Sequence, residues 1–464
     1  MSYRQLAEGT CQGLPGRLTS AVLLSIIEAR FDNQPGPTGD IAVTRTLCIP
    51  LVLSYSLISS ALFCNGAVAA DWPQFLGPNR NGISKEMGLL KSWPVGGLKA
   101  VWRVTGGAGM SGIAVSGGKL ATMVQRGGKQ QVLLLNAKTG KTVWDSPVAT
   151  AYRNSMGQGP RATPTIDHGT IYAFTGEGIL AALNMTDGKI IWQHDVVGEM
   201  GGKTADYGMA SSPLIVGNLV VVTAGAPGAT VVAYEKSAGK IAWKSGNDTA
   251  GYSSASLLTA GGKKQIVAFT GKSAWGLHPI SGNQLWRFLY ETDFDCNIAT
   301  PLQWRGKVFI SAGENHGSTL LALKPDGEQF VVETAWASTG RGSVLRNEWQ
   351  TSILLGNYLY GMDNVGGAGP ITHLTCVSIA DGKRVWQQRR FGKGNMIAAD
   401  GKLFISTLDG ELAIVAASSK AFHEIGREKI LRSTRQAPAL ADGLLYLRDD
   451  QKILCIDVRA RPNQ

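Results

Sequence analysis

Residues 162–196, ATPTIDHGTIYAFTGEGILAALNMTDGKIIWQHDV, decide the fold. Four short runs rich in aliphatic and β-branched residues occupy 163–166, 171–175, 179–184 and 190–195. His168-Gly169, the 176–178 stretch and Asp187-Gly188 stand between them. Runs of this length bounded by Gly, Asn or Asp turns read as strands joined in hairpins. A single four-stranded unit of this kind cannot bury its own apolar faces, so it needs neighbours built the same way.

The chain contains them. LLLNAKTGKTVW ends at Trp144, AALNMTDGKIIW at Trp192, VAYEKSAGKIAW at Trp243, WGLHPISGNQLW at Trp286 and CVSIADGKRVW at Trp386, and in each a Gly stands four residues before the Trp (Gly140, Gly188, Gly239, Gly282, Gly382). LALKPDGEQFVVETAW, ending at Trp336, is the same unit with a longer turn. IVAASSKAFHEIG is a degenerate copy read with Phe422 in place of the Trp. Together with Trp102 in AVWRV, the Trp residues fall 42 to 51 residues apart, the spacing of four-stranded propeller blades. The Gly is expected to supply a turn at positive φ, and the Trp to fill the wedge between blades that diverge from an axis. Innermost strands are expected near Ile113, Thr163, Ser212, Ala255, Ala299, Thr351, Met396 and Pro438. The last unit stops after three strands, and 100–104 supplies the fourth, which leaves no unpaired edge. The reading is all-β: an eight-bladed β-propeller of four-stranded blades, closed by the N-terminal strand joining the last blade. It forms one domain over 98–464, preceded by an extension at 71–97 and a leader at 1–70.

Composition narrows the function. With 59 Gly in 464 residues, 44% apolar and 17% charged, the chain is neither a long helical protein nor a disordered one. Its net charge of +11 is spread singly over Gly-Lys turns such as Lys141, Lys189, Lys240 and Lys383, which argues against nucleic-acid binding. The six cysteines form no CxxC, vicinal pair or CxxCH, and Cys296, Cys376 and Cys455, the three beyond the leader, read as small buried hydrophobes. LCIPLVLSYSLISSALF at 47–63 follows Arg45 and precedes Ala67-Val68-Ala69-Ala70. This is the pattern of a secretory signal peptide over about 43–70, with a start at Val43 and a mature chain from Asp71. The expectation is a periplasmic or secreted monomer with no integral membrane span after cleavage.

The repeat, with its Asp/Ser/Thr-Gly turn and Trp-bearing outer strand, resembles the pyrroloquinoline quinone (PQQ) repeat family over about 98–460. DWPQFLGPNRNGISKE at 71–86 is similar to the start of exported, polyvinyl alcohol dehydrogenase-like members. One branch of that family implies quinoprotein alcohol dehydrogenases, with PQQ and calcium on the propeller axis. Another resembles BamB-type outer-membrane assembly propellers, which carry no cofactor and bind protein partners.

The residues just before each innermost strand are expected to ring one mouth of the axial channel: Met110-Ser111, Arg161, Tyr207 with Met209, Tyr252-Ser253, Asn297, Trp349-Gln350, Asn395 and Arg435-Gln436. If the resemblance to the enzymes holds, Arg161 and Arg435 would meet the carboxylates of PQQ, Tyr252 or Trp349 would stack on it, and Tyr207, Asn297, Gln350 and Asn395 would add polar contacts. Glu348 is then the candidate base, and Asp293, Asp295 and Asn297 in ETDFDCN the candidate calcium ligands. Gly107 to Gly112 matches GxGxxG but precedes a strand instead of opening a helix, and HExxH, GxSxG and Walker sequences are absent. Two functions remain. The first is a cofactor-free binding or scaffolding module of the cell envelope, whose partner is an envelope protein or a small anion at the axial channel. The second is a PQQ- and calcium-dependent alcohol dehydrogenase.

Overall fold

The computed structural model describes residues 71–460 apart from 368 and 370, so the leader and signal-peptide reading at 1–70 lies outside the described residues. Among the described residues, eight four-stranded antiparallel sheets form the blades of a propeller, numbered one to eight in chain order from the sheet whose inner strand is Ala114–Ser116. The unit read from 162–196 folds as Thr165–Asp167, Thr170–Phe174, Ile179–Asn184 and Ile190–Asp195, within two residues of the expected bounds. Ring closure is as expected: Ala100–Thr105 pairs with Lys452–Asp457, with Trp102 opposite Cys455, to complete the eighth blade.

Among the described residues the apolar interior is divided into wedges between neighbouring blades, because the inner strands surround an axial cavity instead of packing on one another. Val132, Leu134 and Ile171 join blades one and two, for example, and Phe269, Ile310 and Leu321 join blades four and five. The largest wedge unites blades seven, eight and one with Trp72, Leu89, Leu90 and Leu98 of the extension.

In several blades the outer-strand Trp reaches across its wedge and hydrogen-bonds to the next. Trp102, Trp144, Trp192 and Trp336 donate their indole N–H to the carbonyls of Ala137, Met185, Lys236 and Ile379 at 2.8–3.0 Å. Their rings lie on Gly140, Gly188, Gly239 and Gly382 of the following blade. The repeated Gly is therefore needed twice, once for its turn and once for space. At Gly282, φ is +70° and an added Cβ would stand 2.4 Å from the Trp243 ring. Gly282→Ala is expected to cost about 3 kcal/mol, from left-handed strain plus overpacking, read as a lower denaturant midpoint at unchanged slope.

Strand register corrects the reading of the degenerate blade. Opposite Cys376 of blade six stands Trp386, and opposite the equivalent Ile414 of blade seven stands Gly426. Phe422 is not the replacement for the Trp; it packs instead against Trp386 and Phe391, at 6.0 and 6.1 Å between ring centroids. The slot above Gly426 is filled by Trp93 of the extension, whose ring would lie 2.2 Å from a Cβ placed there. The missing Trp is thus supplied from another part of the chain.

The same extension crosses the propeller axis at the end away from the mouth. Trp72 exchanges two backbone hydrogen bonds of 2.8 Å with Val115 of blade one, and Pro73 O accepts from Ile166 N of blade two. Arg80 reaches blade three, Gly82 and Ser84 flank Ala398 of blade seven, and Leu90 N donates to Val458 O.

Candidate functional site

In four blades the chain just ahead of the innermost strand is tied sideways to a hydroxyl of the next blade. Gly112 N donates to Thr163 Oγ1, Thr163 N to Ser212 Oγ, Ser212 N to Ser254 Oγ, and Thr300 N to Thr351 Oγ1, at 2.9–3.1 Å. This hydroxyl belt satisfies backbone groups that the strand ladders leave open, and it sets the diameter of the axial cavity. Arg161, Tyr252, Trp349, Asn395 and Arg435 line that cavity, as the sequence suggests, while Trp72, Phe75 and Leu76 of the extension form its floor. The enclosed volume is about 120 Å³.

The mouth side chains are engaged with the protein itself. Arg161 donates Nε to Tyr207 O and Nη2 to Gly157 O, both at 2.7 Å, and Nη1 to Gly159 O, with its guanidinium 4.6 Å from the Tyr152 ring centroid. Arg435 donates Nη1 to Met156 O at 3.0 Å. Burial lowers the pKa of both arginines. Arg435 and Lys393 each lie 4.6 Å from the centroid of Trp349, so this ring collects two cations. Tyr207 stacks on Tyr252 at 5.7 Å, and its N–H donates to Tyr252 Oη. Asn395 Nδ2 donates to Arg435 O at 2.7 Å.

Other candidates lie elsewhere. Gln350 is buried, with Nε2 donating to Met362 O. Glu348 faces Lys393, with Oε2 and Nζ 2.7 Å apart, so the candidate base is committed to an ammonium. The candidate calcium ligands do not converge. Asp293 turns toward His316 at 3.7 Å, Asp295 pairs with Lys272 at 3.0 Å and accepts from Thr249 Oγ1, and Asn297 is fully buried with Nδ2 donating to the carbonyls of Thr270 and Tyr290. These residues do not fit a calcium ion. Asp295 instead borders a groove of about 390 Å³ beside Phe294. Cys376 and Cys455 are buried, and Cys296 is half-buried with its thiol pushed up to about 12 by burial first and then by neighbouring carboxylates.

Sequence reasoning missed Lys393, Tyr152 and the floor. The two former sit in loops with no repeat signature, and Trp72 and Phe75 had been read only as the opening of a family-like segment.

A family model described as outer membrane protein assembly factor BamB matches residues 99–205 and 128–388. The chain belongs to this BamB-type PQQ-repeat family. It is 27% identical over 214 residues to the BamB protein of Nitrosomonas eutropha, covering 43% of this chain and 46% of that one. It is 30% identical over 113 residues to ER membrane protein complex subunit 1 of Gallus gallus, covering 24% and 11%. The match therefore spans less than half the length of either relative. In three dimensions this BamB-type propeller is similar to the quinohemoprotein alcohol dehydrogenase of Comamonas testosteroni (TM-score 0.62, 13% identity, 84% of this chain and 81% of that one). It is also similar to BamB from Moraxella catarrhalis (TM-score 0.53, 14% identity, 78% and 98%). At these identities both likenesses speak for the fold. No helix among the described residues is long and apolar enough to cross a membrane.

Proposed function

We propose that this chain is a cofactor-free binding module of the cell envelope, in which the aromatic and cationic mouth around Trp349 receives an anionic side chain of a protein partner. One observation carries this reading: the extension closes the far end of the axis, leaving about 120 Å³ where small-molecule sites span roughly 300–1,000 Å³. A blind, shallow cup suits a single side chain better than a tricyclic cofactor. The engagement of Arg161 with three carbonyls and of Glu348 with Lys393 supports the same reading, since neither would be left to serve a quinone. The family's BamB relatives, described as assembly factors, support a partner of the envelope-protein kind.

Two measurements test it. A calcium-dependent PQQ titration followed by tryptophan quenching, with dye-linked alcohol oxidation in the same samples, is expected to give neither saturation nor turnover. Stoichiometric binding with turnover would make the chain a dehydrogenase. Partners captured from an envelope extract by the intact protein are expected to bind Arg435→Glu at least about tenfold more weakly, because reversing one mouth charge removes the complementarity and adds repulsion. Equal capture by both would place the interface elsewhere.

A further inference from the structure

At the end of the propeller away from the mouth lies a second cavity, of about 460 Å³, within the range of ligand sites. Its aliphatic wall comes from inner strands, with Leu257, Leu302 and Leu354 on three successive blades. Its polar side comes from the amides of Asn79, Asn81 and Gln303, and no acidic residue lines it.

Among the described residues Arg80 is the one charged member of the lining. It is 3% exposed and has no carboxylate partner among the described residues. Nη2 donates to Ser212 O at 2.7 Å and Nη1 to Pro213 O at 3.0 Å, while the buried Nε–H has no acceptor. A guanidinium carries five N–H donors, so carbonyls take two and three stay unspent. Burial, with no acid to offset it, lowers its pKa to about 9. A buried cation facing only carbonyl dipoles is an uncompensated charge, and an anion docked beside it would supply the missing partner. The backbone holds Arg80 there at φ +51°, a conformation that residues with a side chain rarely adopt.

The geometry points to a second binding site in this cavity, which takes a carboxylate carried on a short aliphatic body, the carboxylate at Arg80 and the body on the leucine wall. Two sources share that chemistry: a free medium-chain fatty acid and the C-terminus of a protein chain ending in leucine.

Calorimetric titration of the intact protein with octanoate, with a short peptide ending in leucine, and with the same peptide amidated at its C-terminus tests the site. Saturable one-to-one binding of octanoate or the free peptide is expected, and whichever binds names the source. The amide is expected not to bind. Leu257→Glu, at a position 39% exposed and so tolerant of a polar residue, is expected to weaken binding at least about tenfold by bringing a like charge to the rim, whereas Leu257→Gln, which gives up the apolar contact without adding charge, weakens it less. Arg80→Met is expected to abolish binding, and the Leu257 pair keeps the test decisive if that variant fails to fold. Absence of saturation with both acids, equal binding of the amide, or equal effects of Leu257→Glu and Leu257→Gln would overturn the assignment.

Discussion

Trp72→Ala is expected to lower the stability of the propeller by about 3–5 kcal/mol, the range for truncating a fully buried large aromatic when the site collapses only in part. Trp72 is 2% exposed and packs with blades one, seven and eight, the wedge in which the ring closes. Its ring also lies over Gly77, where a Cβ would stand 2.7 Å away, so the turn that follows is shaped around it. The backbone bonds to Val115 survive the substitution, and the loss therefore reports side-chain packing alone. Guanidinium denaturation is the measurement. A change under about 1 kcal/mol would mean that the extension is laid over a propeller already complete without it. The same variant opens the floor of the axial cavity, so any partner seated at the mouth is expected to bind less tightly.

Asp363→Ala is expected to have an effect of similar size for a different reason. Asp363 is fully buried, and Arg346 is 4% exposed. Arg346 donates Nε to Oδ1 at 2.7 Å and Nη2 to Oδ2 at 2.9 Å, a two-point pairing, while its N–H also donates to Oδ1. Removing the carboxylate strands a guanidinium in the interior, which typically costs about 3–5 kcal/mol. The pair pins the chain that leads to Glu348, Trp349 and Gln350, so loss of mouth binding should accompany loss of stability. Replacing both partners by apolar residues, Arg346→Met with Asp363→Leu, is expected to recover most of the stability, because no buried charge is then left unpaired; Arg384, 3.9 Å from Asp363, is 38% exposed and stays hydrated. Failure to recover it would show that the pair holds the loop through its geometry and not through charge balance.

Much of this architecture is legible in the sequence because a propeller is written locally. Each blade pairs strands adjacent in the chain, and each turn announces itself by Gly with Asp, Ser, Thr or Asn, so strand boundaries in 162–196 came within two residues of those observed. Phe422 shows the limit of that local reading. Aligned by eye it stands where the Trp should be, but it lies ahead of the outer strand Glu424–Lys429, and pairing with Ile414 gives that place to Gly426. The positions of Arg161, Tyr252, Trp349 and Arg435 around one cavity were equally legible, since each precedes an inner strand, whereas Asn395 lies inside the strand Gly394–Ala399 and still reaches the cavity.

What the sequence by itself determined is the all-β class, the eight blades, the closing strand and part of the lining at the mouth, because all of these follow from period and turn chemistry. What only the tertiary structure decided is what those residues are free to do. Glu348 is spent on Lys393 and Arg161 on Tyr207 of the next blade as well as on two carbonyls of its own loop, Trp93 enters a wedge more than three hundred residues away, and Trp72 and Arg80 act at the end of an axis that exists only once the ring has closed. Charge neutralisation and cavity closure depend on contacts between distant segments, and a repeat carries no local signal for them.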